Sequence, residues 1–124
     1  MDTPSGPEPD LDPVLADARA RVLADLEASG AAGADTVSAL EDAVAARRWW
    51  ADQWPEGASY VAGLVAQDLQ DALLTSHGRW PLCRACDHLD PHALYIHPDL
   101  GGPDPTWVCE VSGIPVAELD ALRA

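Results

Sequence analysis

The chain contains no phenylalanine and no lysine, one methionine and three cysteines. Without phenylalanine, core bulk must come from leucine, valine and five tryptophans on an alanine-rich background. All seven basic residues are arginine, against 21 aspartates and glutamates, so the net charge is −14. A surplus of that size argues against direct nucleic-acid binding and against lying on an anionic membrane, since both need cations to replace counterions. It favours solubility and basic partners. No apolar run approaches the ~20 residues of a membrane span, and the first residues lack a basic-then-apolar signal pattern. No Ser–His–Asp set, phosphate loop, dinucleotide fingerprint or H-E-x-x-H occurs either. The 124 residues allow one domain, or one small domain with an appendage.

The few thiols that exist are gathered in one stretch. Trp80–Glu110 holds all three cysteines and three of the four histidines. Cys83 and Cys86 form a C-x-x-C pair, and Cys109 follows after a long gap. Two sulfurs at that spacing can grip one metal ion from a tight turn, and a histidine plus the distant cysteine can close a tetrahedron. Leu94-Tyr95-Ile96 favours a strand, Trp107–Val111 a returning strand, and the Gly/Pro-rich segment between them a reversal near Leu100–Gly101. That places position 92 roughly opposite position 109. His97 lies five residues further along, roughly 16 Å at about 3.3 Å per residue, at the wrong end. His92 is therefore favoured as the fourth ligand. His88 stays open, because Cys86-Asp87-His88 could wrap the ion from one loop.

Zinc suits such a donor set, with tetrahedral coordination by thiolates at about 2.3 Å and imidazole at about 2.0 Å. Three thiolates and one neutral histidine saturate it, leaving no position for water. The ion would then staple the chain and polarise no substrate. The competing readings are inert thiols and a Cys83–Cys86 redox dithiol. Redox pairs usually place the first cysteine at a helix N-terminus, and Asp87-His-Leu-Asp-Pro91 does not read as a helix. Reduced thiols on a metal suit a cytoplasmic location.

Trp80-Pro-x-Cys83-x-x-Cys86, His92-x-Leu94 and Trp107-Val-Cys109-Glu resemble the C-terminal segment of small uncharacterised zinc-ribbon-like proteins of high-GC Gram-positive bacteria. The resemblance spans about a quarter of the chain and implies Cys83, Cys86, His92 and Cys109 as ligands of one structural Zn2+. It implies no activity.

Upstream, Met1–Leu11 is acidic and Pro-rich and reads as a disordered tail. Asp12-Pro13 opens a first helix, with Asp12 as N-cap. Leu15, Ala18, Val22 and Leu26 form its apolar stripe, while Arg19, Arg21, Asp25 and Glu27 point away. Ser29-Gly30 ends it. A second helix is capped by Asp35 or Thr36, or by a Ser38–Glu41 box, and buries Val37, Leu40 and Val44. Trp54-Pro55 stops it, because the residue before proline avoids helical geometry. Arg47-Arg48-Trp49-Trp50 could stack on nucleic acid. The bland reading is stronger: a tryptophan fills the core, the arginines neutralise acidic neighbours, and an exposed indole anchors a partner.

Glu56–Thr75 reads as a third helix with Tyr60, Val61, Leu64, Val65, Leu69, Ala72 and Leu73 on one face. Asp68 and Asp71 are read as part of its solvated side. His77 follows its last turn; its distance from Cys83, with Pro81 between, fits no helical H-x-x-x-C-x-x-C motif. Ile114–Leu122 fits either a third strand or a short helix, with the strand favoured.

The expected fold is α+β: a disordered tail (1–11), a three-helix body (12–78) and a small zinc-stapled antiparallel hairpin or three-stranded ribbon (79–124). The expected function is a non-enzymatic, acidic, zinc-binding interaction module whose protein partner offers a basic or Trp-accepting surface. The alternatives are a C-x-x-C redox protein or zinc hydrolase, and, on charge alone, an acidic decoy for a nucleic-acid-binding protein. Cys109→Ser is expected to unravel the hairpin and leave the helices intact.

Overall fold

Alternating stripes of leucine, valine and alanine build three helices, α1 (Leu11–Ala28), α2 (Ala34–Gln53) and α3 (Val61–Ser76). A 3-10 turn, Pro55–Tyr60, leads into α3. A three-stranded antiparallel sheet follows in the order β1 (Leu94–His97), β2 (Thr106–Cys109) and β3 (Pro115–Glu118). The computed structural model describes residues 11–86, 90–99 and 104–123. The expected tail over residues 1–10 and the tip of the reversal lie outside them.

The α1 stripe is as expected, with Leu15, Ala18, Val22 and Leu26 all buried. Leu11 opens the helix and is buried, so it does not belong to the tail, and Asp12 sits within the first turn rather than capping it. The helix ends in a Schellman motif: Ala31 N–H donates to Leu26 O at 2.8 Å and Gly30 N–H to Glu27 O at 3.1 Å. Gly30 adopts the left-handed conformation this requires, with φ 75°.

The N-cap of α2 is Gly33, not Asp35 or Thr36, which lie inside the helix. Thr36 serves the cap from within: Gly33 N–H donates to its Oγ1 at 2.9 Å, and its hydroxyl donates to Ala31 O at 2.7 Å. Burial centres on Thr36, Leu40, Ala43 and Ala51, with Val37 and Val44 only half-buried. The helix stops at Gln53, before Trp54-Pro55, as the proline dictates. The third helix begins later than expected, because Pro55–Tyr60 first makes the tighter turn; Leu64 is half-buried and Ala72 exposed.

That turn has a packing reason. Trp50 and Trp54 meet edge to face at 5.3 Å, and Trp54 stacks on Tyr60 at 5.9 Å. Gly57 is buried beneath both indoles, where a Cβ would lie 2.5 Å from Trp50 Cη2 and 2.8 Å from Trp54 Cε3. Gly57→Ala is therefore expected to lower stability by about 1–3 kcal/mol through overpacking. An unchanged urea midpoint for this variant would mean that the indoles yield freely.

The arginine pair behaves as neutralising charge. Arg47 makes a two-pronged contact with Asp68 (2.6 and 2.9 Å) and lies over the Trp50 ring, and Arg48 reaches Asp12 at 2.5 Å. Trp49 is left 68% exposed, so it fills no core.

One apolar core runs unbroken from the helices into the sheet. Leu26, Leu40, Val65 and Leu69 continue through Trp80, Leu94, Ile96, Trp107 and Leu119. Trp80 and Trp107 meet edge to face at 5.5 Å in its centre. Asp25, expected at the surface, is fully buried. Its carboxylate accepts from Trp107 Nε1 (2.8 Å) and from the amides of Asp120 (2.9 Å) and Leu122 (3.1 Å), binding α1 to the C-terminal segment.

Candidate metal centre

Three separate chain segments bring the chemistry-bearing side chains together. In the sheet, Leu94 pairs with Cys109, so the register is displaced by two residues from the expected pairing of 92 with 109. An even displacement keeps every side chain on its face, so His92 and Cys109 still share one side. The closest backbone neighbour of His92 is instead Cys83. The segment before the C-x-x-C turn runs antiparallel beside the start of β1, with a bridge between Leu82 and Ala93. Cys83 N–H donates to His92 O at 2.8 Å and Leu94 N–H to Pro81 O at 2.9 Å. Gln70 on α3 locks both strands by donating to Trp80 O (3.0 Å) and Leu94 O (2.8 Å).

Cys109 closes the site from a tight turn at the end of β2. Gly113 N–H returns to Cys109 O at 2.9 Å, with Gly113 at φ 74°, and Ser112 N–H points at Cys109 Sγ at 3.3 Å. Glu110 ties this turn to the other strands by accepting from Ala93 N–H and Arg79.

The ligand atoms of Cys83, Cys86, His92 and Cys109 all lie within 4.8 Å of one another. Arms of about 2.3 Å to sulfur and about 2.0 Å to nitrogen give tetrahedral edges of about 3.8 and about 3.5 Å. Cys109 Sγ and Cys86 Sγ are 3.9 Å apart, and Cys86 Sγ and His92 Nε2 are 3.1 Å apart. The three cysteines form no disulfide with one another, and the sulfur spacing is that of ligands around an ion. His92 and Cys109 are buried, Cys83 and Cys86 half-buried. His97 is exposed at the far end of β1, opposite Thr106, and takes no part. His88 lies outside the described residues.

The surroundings prepare the donors. His92 Nδ1 sits 2.8 Å from Asp90 O. A carbonyl only accepts, so Nδ1 carries the proton and Nε2 turns toward the sulfurs, the usual arrangement for a metal-binding imidazole. That same carbonyl is the main reason the ring's pKa is pushed up to about 9. Hydrogen bonding from Ser112, hydroxyl first and then amide, pushes the Cys109 thiol down to about 6. Between these values the metal-free site holds an imidazolium beside a thiolate. An incoming cation meets a ready thiolate but must expel the His92 proton. Metal affinity is therefore expected to fall as pH drops from about 9, and more steeply below about 6, where Cys109 also takes up a proton. Competition against a chelator across pH 5 to 9 checks this; a flat profile would contradict it.

The outer partners Asp90, Ser112 and Gln70 were not legible as such in the sequence. The glycine four residues after Cys109 was the one available signal for its tight turn.

Taken together, this is an α+β protein in which a three-helix body carries a three-stranded sheet and a Cys3His cluster able to hold a metal ion. A family model described as a domain of unknown function (DUF8819) matches residues 11–119, and the chain belongs to that family. No curated protein and no solved structure matches the chain. Among the described residues, no helix is long and apolar enough to cross a membrane.

Proposed function

We propose that Cys83, Cys86, His92 and Cys109 hold one structural Zn2+, and that the protein is a non-enzymatic, cytoplasmic, zinc-ribbon-like interaction module. The convergence of three thiols and one tautomer-fixed imidazole from three segments carries the reading. Four protein donors fill a tetrahedral ion, which points to a staple rather than to a water-activating centre. Among the described residues, 83–86 form an irregular turn, whereas redox pairs usually open a helix. The partner is a protein with a basic or Trp-accepting surface. The net charge of −14 and the exposed Trp49 support this, since a protruding indole beside acidic helices suits such a contact.

Cobalt substitution tests the closed site. The Co2+ form is expected to show the visible bands of a tetrahedral thiolate-rich centre, unchanged by excess azide. Bands that shift with azide would mean an open coordination position and would favour a hydrolase.

A further inference from the structure

Acidic residues outnumber arginines threefold here, 21 to seven, yet two adjoining hollows beside the Cys83–Cys86 turn have no described acidic residue in their walls. The first, about 240 Å³, has an apolar lining of Leu82, Leu94, Val116 and Leu122, and holds Arg84 and Arg123. The second, about 160 Å³, shares Leu82, Leu122 and both arginines, and adds His77 and Arg79. Together they reach the scale of small-molecule sites, about 300–1,000 Å³.

The pairing of the arginines makes the asymmetry sharper. Arg19, Arg21, Arg47, Arg48 and Arg79 each lie within 4.0 Å of a carboxylate. Among the described residues, Arg84 and Arg123 have no such partner, and these two share one hollow. Guanidinium groups in a cleft with apolar walls concentrate positive potential, and their planar forks match oxyanions. The rest of the lining includes the branched aliphatic side chains of Leu82, Leu94, Val116 and Leu122.

We propose that this hollow binds a small organic anion, a carboxylate, sulfonate or phosphate on an apolar body. Arg84 and Arg123 take the anionic head; Leu94, Val116 and Leu122 take the body. The site shares no residue with the Trp49 surface and goes beyond the interaction reading. Because Arg84 lies within the C-x-x-C turn, the metal staple also holds one of the two anion-binding groups in place.

The test titrates the full-length protein with 8-anilinonaphthalene-1-sulfonate and, separately, with its sulfonate-free parent N-phenyl-1-naphthylamine, following fluorescence. The sulfonate is expected to bind once per chain and about tenfold more tightly than the neutral dye, as a charge-assisted contact would give. In the Arg84→Gln/Arg123→Gln double variant that advantage should vanish while neutral-dye binding persists; Trp49→Ala should change neither. Equal affinity of the two dyes for the wild-type protein would overturn the proposal, whether or not the double variant folds. So would undiminished sulfonate binding in a double variant with a native circular dichroism spectrum.

Discussion

Asp25→Ala is expected to destabilise the protein by about 3 kcal/mol and to lower its melting temperature by on the order of 10 °C. The carboxylate is fully buried and is the acceptor for Trp107 Nε1 and for the amides of Asp120 and Leu122. Alanine would leave these donors without their acceptor, and a buried donor without a partner costs about 1–3 kcal/mol. The indole of Trp107 is fully buried, so it cannot turn to water. The two amides lie nearer the surface and recover part of their bonding there. Asp25→Asn keeps one oxygen but faces an NH2 toward a donor, so its loss should be smaller. A melting temperature within a degree of the wild type for Asp25→Ala would show that α1 and the C-terminal segment are held by apolar packing alone.

The same residue gives a pH signature. Burial pushes the Asp25 carboxyl above its ordinary 3.8, although Trp107 and the two amides pull the other way. A pKa that is higher in the folded state contributes stability that is complete below the unfolded value and is lost as pH rises through the folded one. Relative to Asp25→Asn, which does not titrate, the wild type should therefore gain stability as pH falls toward 3.8. The difference should level off once the pH is well above the folded-state value. Urea melts of both proteins from pH 3.5 to 7 measure it directly.

The second large effect belongs to Cys109. On the zinc reading proposed above, Cys109→Ser removes one of the four donors, and with it most of the roughly 10 kcal/mol that a structural zinc would contribute to folding. Small domains are stable by only about 5–15 kcal/mol, so the variant should be largely unfolded near room temperature. The extent of that unfolding follows from the core. Trp107, two residues before Cys109, packs against Trp80 in the same apolar cluster as Leu26, Leu40 and Leu69. If the sheet and the C-terminal segment leave together, the core loses Trp107, its largest fully buried side chain, and Asp25 loses all three donors. One cooperative transition in both far-ultraviolet ellipticity and tryptophan fluorescence is the expected result. This reverses the sequence-based expectation that the helices survive alone, and two separated transitions would restore it.

What was legible in the sequence was what local chemistry dictates. The stripe Leu15–Ala18–Val22–Leu26, the stop at Trp54-Pro55 and the strands around Tyr95 and Val108 follow from periodicity and backbone restriction. The gathering of Cys83, Cys86, His92 and Cys109 followed from ligand type and spacing. What escaped depended on distant partners. A carboxylate on a helix reads as solvated, and the donors that bury Asp25 lie 82 to 97 positions away. The register slipped by two because the backbone of Cys83, not Cys109, is what His92 pairs with. Thr36 looked like a cap but serves Gly33 from inside the helix, a choice made by the loop before it. Pro55–Tyr60 tightens because Gly57 must fit beneath two indoles, which no helical pattern reveals.

Native mass spectrometry of the freshly purified protein, beside its acid-denatured form, tests the metal directly. The folded protein should carry one zinc, lost on denaturation, with three free thiols per chain appearing only then. A folded, metal-free protein whose thiols react at once, or one with a Cys83–Cys86 disulfide, would contradict it.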